Sequence, residues 1–137
     1  MFTGRIARFD APGQPFTLTE ATLDSVAPGE VLIKVTRTNI CGSDLHAWHG
    51  SFSTQGLGGQ LPTVLGHEMV GEVAALGDGV VTDSDGQLLA EGTRVVFPYF
   101  FSCHRCYNCL RGRRTACASL TMAMLGNADQ QIGRAHG

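Results

Sequence analysis

The stretch Cys103–Cys117, CHRCYNCLRGRRTAC, carries four of the five cysteines of the chain. They are Cys103, Cys106, Cys109 and Cys117. Their spacing is C-x2-C-x2-C-x7-C, which brings four soft thiolates within reach of one tetrahedral metal centre. Zinc suits this set because it accepts four sulfur ligands without a geometric penalty or redox side reactions. Since protein would fill all four positions, the spacing predicts a structural zinc site with no room for substrate.

An iron–sulfur cluster and free thiols are the alternative interpretations of these cysteines. Bacterial ferredoxins share the C-x2-C-x2-C step but continue with x3-C-P. Here seven residues precede Cys117, and Ala118 follows it. The spacing therefore favours zinc. Four arginines accompany the cysteines, and a solvated surface beside a negatively charged thiolate cluster explains them better than nucleic-acid contact does.

Length and composition narrow the class of protein. A chain of 137 residues has room for one modest domain. Its formal charge of −2 and its 43% of hydrophobic residues indicate a globular domain without a general attraction to nucleic acid or to membrane surfaces. No apolar run approaches the roughly 20 residues that span a bilayer. We expect a cytoplasmic protein with reduced thiols, and the odd cysteine count also argues against a disulfide framework.

The chain before the cysteine stretch is predicted to be mainly β. Short alternating segments read IARFD, FTLTE, GEVLIKVTRTNI, HEMVGEVAALG and TRVVFPYF, and turn residues separate them. In the third segment, Val31, Ile33 and Val35 are predicted to share one face. This pattern is typical of a small barrel or sandwich. Only SDLHAWHG suggests a short helix, with Ser43 or Asp44 as its N-terminal cap.

The fifth cysteine, Cys41, lies in a second group of polar residues. It precedes the predicted helix, and His67 and Glu68 lie at the start of a later strand. A lone cysteine is usually a buried apolar residue, and a lone histidine is usually an ordinary core or surface group. Spacing by itself therefore does not pair Cys41 with His67.

Three segments in order resemble the zinc-dependent alcohol dehydrogenases of the medium-chain dehydrogenase/reductase superfamily. They are CGSDLH, GHEMVGEVAALGDGV and GTRVV, and the four-cysteine stretch follows them. The resemblance covers the chain to about residue 120. It implies a mainly β, GroES-like catalytic domain over residues 1–130. The implied architecture is a partly open β-barrel with the structural zinc lobe, residues 100–120, projecting from it.

The resemblance also implies a second zinc, the catalytic one. Cys41 and His67 match two of its ligands, and Glu68 is either a third ligand or a residue behind the metal. Asp44 matches the carboxylate that orients a zinc-bound histidine, here His67. A catalytic zinc keeps one position open for water or substrate.

Two further positions match the family's proton relay. Ser43 corresponds to the hydroxyl that takes the proton of the alcohol, and His46 to the group that passes this proton towards solvent. The alternative for Ser43 and Asp44 is a plain helix cap. For His46 the alternative is an ordinary surface histidine.

The implied reaction is oxidation of an alcohol to an aldehyde or ketone by zinc-assisted hydride transfer to NAD or NADP. The dinucleotide fingerprint G-x-G-x-x-G is missing from the sequence. We therefore expect an N-terminal fragment without its Rossmann domain, with negligible turnover on its own. The implied parent enzyme acts on a small-molecule alcohol and is a homodimer or homotetramer.

Residues 131–137 are expected to be a non-native tail, because IGRAH is what the start of a sequencing adapter encodes. The alternative to an enzyme fragment is a non-catalytic, zinc-binding GroES-like interaction module. The combination of Cys41, Ser43, His46 and His67 favours the enzyme, since a structural module needs only the four-cysteine lobe.

Overall fold

The computed structural model describes residues 1–51, 61–98, 100–119, 121–122 and 134–136. These residues are mainly β, as predicted. Their strands are β1 (Phe2–Phe9), β2 (Thr17–Leu23), β3 (Glu30–Asn39), β4 (Thr63–Val64), β5 (Glu68–Leu76), β6 (Arg94–Val96), β7 (Phe100–Phe101), β8 (Thr121–Met122) and β9 (Arg134–His136). Two short helices, α1 (Gly42–Trp48) and α2 (Tyr107–Leu110), accompany them, with a 3-10 turn at Arg114–Ala116. No helix in these ranges is long and apolar enough to cross a bilayer.

The strands form three antiparallel sheets. The first sheet has the order β2-β1-β4, the second β6-β5-β3-β9, and a two-stranded ladder joins β7 to β8. β1 and β2 make a hairpin in which Phe2 lies opposite Leu23 and Arg8 opposite Thr17. The described strands do not close into a barrel, which agrees with the predicted open architecture.

The longest ladder joins β3 to β5 and organises the second sheet. Its register runs from Val31 opposite Leu76 to Asn39 opposite Glu68. The strands are antiparallel, so the end of β3 meets the start of β5. The residues that follow β3 and those that precede β5 are therefore brought to one place.

Burial along β3 differs from the pattern expected for one buried face. Val31 is buried, but Val35 is 46% exposed, and Leu32, expected on the opposite face, is only 6% exposed. Because consecutive side chains of a strand point to opposite sides, burial of both Val31 and Leu32 shows that the start of β3 is covered on both faces. A strand end that is buried on both faces does not show the alternation of burial on which the prediction relied.

Both larger sheets contribute to a small core. Its most deeply buried side chains are Phe9 of β1, Thr63 of β4 and Val73 of β5. The ring of Phe9 also contacts the ring of Phe16, with 5.7 Å between the centroids. The core thus lies at the ends of β1 and β4 and the middle of β5.

Helix α1 follows β3 directly and is tied to the β1–β2 hairpin. Its N-cap is Cys41, so the prediction that Ser43 or Asp44 opens the helix is wrong by two or three residues. The backbone N–H of Gly13 donates to the carbonyl oxygen of Trp48 at 2.7 Å. The indole N–H of Trp48 donates to the carbonyl oxygen of Gln14 at 3.0 Å. These bonds fix the helix against the hairpin loop.

The four-cysteine lobe begins and ends at the β7–β8 ladder, where Phe100 pairs with Met122 and Phe101 with Thr121. The tail also has a place in the fold, because the backbone of Arg134–His136 pairs with Glu30–Leu32 of β3. The non-native origin of residues 131–137 stays a prediction.

Replacement of Gly71 by alanine should destabilise the fold by about 1–3 kcal/mol, the usual cost of overpacking. A Cβ at this position of β5 would overlap the Cγ2 of Ile33 and lie 2.7 Å from the carbonyl oxygen of Lys34. Chemical denaturation would measure the change. The matched control is Gly4→Ala in β1, where an added Cβ meets nothing within 4 Å. Equal stability of the two variants would contradict this account.

Candidate metal centres

The β3–β5 register brings three potential ligands together. Cys41 lies two residues after Asn39, and His67 lies immediately before Glu68. Asn39 and Glu68 are paired across the ladder. Residues 26 positions apart in the sequence therefore become neighbours because the sheet joins their strands.

Cys41, His67 and Glu68 form the first candidate metal centre, named here the three-residue site. One ligand atom from each lies within 4.8 Å of the other two. Cys41 and His67 are half-buried, whereas Glu68 is exposed. Thiolate, imidazole and carboxylate are all zinc donors, and a catalytic zinc takes three protein ligands and keeps a fourth position open. Among the described residues, the donor set therefore fits a zinc ion with three protein ligands.

The carboxylate of Asp44 connects the two chain segments of the three-residue site. Its Oδ2 accepts a hydrogen bond from the backbone N–H of Cys41 at 2.8 Å. Its Oδ1 accepts one from the backbone N–H of Gly66 at 3.1 Å and lies 3.6 Å from Nδ1 of His67. One side chain on α1 thereby fixes the backbone beside both the cysteine and the histidine.

Gly66 is the partner that the sequence reasoning missed. Its φ of 103° lies in the region that favours glycine, and this conformation presents its N–H to Asp44. A glycine immediately before a histidine at a strand start was the available signal. The partner could not be assigned from sequence, because the bond joins residues 22 positions apart.

Ser43 and His46 both lie on α1. Ser43 is half-buried and His46 is exposed. Three residues apart on a helix, they are neighbours on one face, one turn from each other. This placement is compatible with passage of a proton from the site towards solvent. Their roles stay predictions.

The second candidate metal centre is the four-cysteine site in the lobe. The ligand atoms of Cys103, Cys106, Cys109 and Cys117 all lie within 4.8 Å of one another. The sulfur atoms of Cys103 and Cys109 are 4.0 Å apart, as are those of Cys106 and Cys117. Zinc–sulfur bonds of about 2.3 Å at tetrahedral angles place sulfur atoms about 3.8 Å apart. The cluster fits zinc.

Backbone N–H groups point at the sulfur atoms of this cluster. The sulfur of Cys117 accepts hydrogen bonds from the N–H groups of Cys103 and Ser119, each at 3.3 Å. His104 adopts a positive φ of 55°, which turns the chain sharply after the first cysteine. Such donors stabilise thiolate, which is the form that binds metal.

The pKa values of the thiols reflect these donors and burial. Hydrogen bonds from the N–H groups of Ala118 and Cys109 lower the pKa of Cys106 to about 6. Burial of Cys109 disfavours its charged form and raises its pKa to about 11. Metal binding must therefore compete with protons for these thiols, most of all at Cys109. Occupancy should strengthen as the pH rises.

Comparisons with known proteins all find similarity to dehydrogenases. The sequence profile of the alcohol dehydrogenase GroES-like domain matches residues 27–136. The chain is 38% identical over 106 residues to an L-threonine 3-dehydrogenase of Pyrococcus horikoshii, covering 77% of this chain. It is 40% identical over 114 residues to an L-arabinitol 4-dehydrogenase of Aspergillus oryzae, covering 81%.

A solved structure shares the fold. It is a cobalt- and zinc-bound thermostable alcohol dehydrogenase from Pyrobaculum aerophilum, with a TM-score of 0.73 and 27% identity. The match covers 90% of this chain and 36% of that one. The two curated relatives are matched over only 28% and 27% of their lengths, so this chain spans just over a quarter of them.

Removal of metal with a chelator should unfold the lobe before the rest of the protein. Among the described residues of the lobe, the buried ones are Cys109 and Cys117, so the lobe has little core besides its cysteines. Structural zinc contributes about 10–16 kcal/mol in finger peptides. We expect amide protection across Cys103–Cys117 to fall by about 100-fold or more in hydrogen exchange. The β3–β5 amides serve as internal control. Unchanged protection of the lobe would refute its dependence on metal.

The Asp44→Asn variant should weaken zinc binding at the three-residue site by about 10–100-fold. The bonds from Cys41 and Gly66 go to different oxygens of Asp44, and asparagine replaces one of these oxygens with an NH2 group that can only donate. Competition with a chromophoric chelator would measure the affinity of each site. The four-cysteine site should bind as before.

Asp83→Asn is the matched control for that variant. One carboxylate oxygen of Asp83 accepts from the N–H groups of Asp85 and Gln87, a role that asparagine can keep. If the Asp44 and Asp83 variants bound zinc equally well, Asp44 would have no part in the metal centre.

Proposed function

Because this chain belongs to the alcohol dehydrogenase GroES-like domain family, we propose that it is the zinc-bearing part of an NAD(P)-dependent dehydrogenase. The proposed reaction is the oxidation of an alcohol to an aldehyde or ketone. The nicotinamide cofactor supplies the hydride acceptor. The chain spans just over a quarter of its curated relatives, so this activity belongs to an enzyme of their length.

The single observation that carries the proposal is the three-residue site. Its ligand atoms lie within 4.8 Å of one another, and in the part of the chain that the structure describes its donors number three rather than four. A purely structural zinc is closed by four protein ligands, whereas a site with three leaves room for a reacting molecule. The lobe has the four ligands of a structural zinc site. Cys41, His67 and Glu68 make a site with three protein ligands.

Each residue of the three-residue site has a separate task in this proposal. Cys41, His67 and Glu68 hold the ion, and Glu68, the exposed member, is the ligand that solvent reaches most readily. Zinc held there supplies Lewis-acid polarisation of an alcohol oxygen, which makes the hydroxyl proton easier to remove. Asp44 holds the backbone of both segments and orients the His67 ring from 3.6 Å.

Ser43 and His46 provide the proposed path for that proton. The half-buried hydroxyl of Ser43 accepts it from the alcohol, and the exposed imidazole of His46 delivers it to water. An imidazole suits the second task because histidine titrates near neutral pH. Their spacing of one helical turn supports transfer along one face of α1.

The second candidate function is the non-catalytic zinc-binding interaction module. The four-cysteine lobe would serve such a module equally well. The three-residue site and its Asp44 support favour the enzyme, since a module has no need of a second, open metal position.

The two curated relatives described above are named for different substrates, L-threonine and L-arabinitol. We accordingly propose a small-molecule alcohol as the substrate class; the cytoplasmic location and the dimeric or tetrameric parent stay predictions from sequence.

Cobalt substitution tests the open position directly. We expect the reconstituted chain to bind about two Co²⁺ ions, one for each centre. Imidazole added to the solution should change the visible absorption of the three-residue site, because a free coordination position can accept it. The four-cysteine centre has no free position and should not respond.

Two variants assign the signals. Cys41→Ser should remove the response to imidazole together with about one ion per chain. Cys109→Ser should leave that response in place while lowering the affinity of the four-cysteine site for its ion. A chain that binds only one ion, or whose spectrum ignores imidazole, would favour the interaction module.

A further inference from the structure

Helix α1 ends in a motif that places Ser51 against His46. The N–H of Gly50 donates to the carbonyl oxygen of Ala47 at 3.0 Å, and the N–H of Ser51 donates to that of His46 at 3.0 Å. Gly50 has a φ of 74°. This pair of bonds with a glycine in the left-handed region is a Schellman motif, a common way to end a helix. The backbone therefore fixes Ser51 beside the last turn, independently of its side chain.

The hydroxyl of Ser51 makes two contacts with His46. Its Oγ lies 3.1 Å from the carbonyl oxygen of His46 and 3.3 Å from Nδ1 of the imidazole. A carbonyl oxygen can only accept, so the shorter contact uses the single hydroxyl proton. Oγ of Ser51 then has only lone pairs left for Nδ1. A hydrogen bond between the two atoms therefore requires a proton on Nδ1.

The opposite arrangement is less favourable. If Nδ1 carried the lone pair, the hydroxyl proton would turn towards it. The hydroxyl oxygen and the carbonyl oxygen would then stay 3.1 Å apart with no proton between them. Both contacts are satisfied only when the neutral imidazole is protonated on Nδ1.

We propose that Ser51 is a positioning residue that holds neutral His46 in the Nδ1–H tautomer and leaves Nε2 as its proton-accepting atom. This inference rests on the proposed function, in which His46 passes a proton from Ser43 to solvent. Ser51 itself touches neither substrate nor metal in that scheme. Its contribution is to decide which ring nitrogen is basic and to restrict rotation of the ring.

The tautomer decides from which side the His46 ring can accept a proton in the proposed relay. The basic nitrogen, Nε2, lies on the opposite side of the ring from Ser51. Without the serine hydroxyl, the ring is free to rotate, and a neutral histidine in water favours the Nε2–H form. Nε2 would then lack the lone pair that receives a proton.

Nitrogen-15 NMR of the zinc-loaded 137-residue chain tests the tautomer directly. Long-range proton–nitrogen correlations distinguish Nδ1–H from Nε2–H, and a pH of about 9 keeps an ordinary imidazole neutral. We expect His46 to be mostly Nδ1–H. In Ser51→Ala the ratio of Nδ1–H to Nε2–H should fall about fivefold, the size of one hydrogen bond. The backbone bond from residue 51 to His46 persists in this variant, so the helix end stays formed.

Two further variants complete the experiment. Ser51→Thr retains a hydroxyl and should restore the wild-type ratio. Ser102→Ala removes the chain's other serine–histidine contact among the described residues, that with His104 at 3.4 Å, and should leave His46 unchanged. A wild-type His46 that is mostly Nε2–H, or a ratio that ignores the Ser51 hydroxyl, overturns the proposal.

This readout separates the inference from the proposed function. The tautomer of His46 is measured without substrate or cofactor and does not depend on metal at the three-residue site. A chain that fails to bind the second metal but shows the expected tautomer ratios refutes the function and leaves the role of Ser51 as a positioning residue for His46 intact.

Discussion

The antiparallel pairing of β3 with β5 is the constraint on which the candidate metal centre depends. The pairing places Asn39 opposite Glu68, and the ligands lie just beyond this pair. A slip of one residue would turn every side chain of a strand to the other face of the sheet. Gly71 permits the close approach of the two strands, since a larger residue would meet Ile33 and the backbone of Lys34. The register thus connects packing in the sheet to chemistry at its edge.

The two metal centres are assembled by different means. The four cysteines of the lobe lie within 15 consecutive positions, and a sharp turn with N–H donors prepares their sulfur atoms. Few residues must be ordered, so the loop-closure entropy is small and the metal itself can organise the lobe. The three-residue site instead requires a formed sheet and a capped helix, because its ligands come from distant segments. The geometry of the three-residue site is therefore set by the folding of the whole domain.

Much of this organisation was readable in the sequence. Alternating segments indicated the strands, and cysteine spacing indicated the lobe, because both depend on local periodicity. Resemblance to a family, rather than spacing, paired Cys41 with His67. The burial of Leu32 and the exposure of Val35 were missed because the covered part of a strand depends on which elements pack against it. Gly66 was missed because its bond to Asp44 is long-range, and Ser51 because a hydroxyl contact depends on how the helix ends, although the glycine before it was a usable signal.

Asp44 serves two structures at once. As the third residue of α1 it accepts the N–H of the N-cap residue Cys41, and so it stabilises the start of the helix. The same carboxylate also bonds to Gly66, beside His67. Thermodynamic reciprocity then applies: an ion that orders Cys41 and His67 strengthens the first turn of α1, and a well-formed first turn raises the affinity for the ion by the same factor. Melting of this helix and release of the ion would therefore be coupled equilibria rather than separate events.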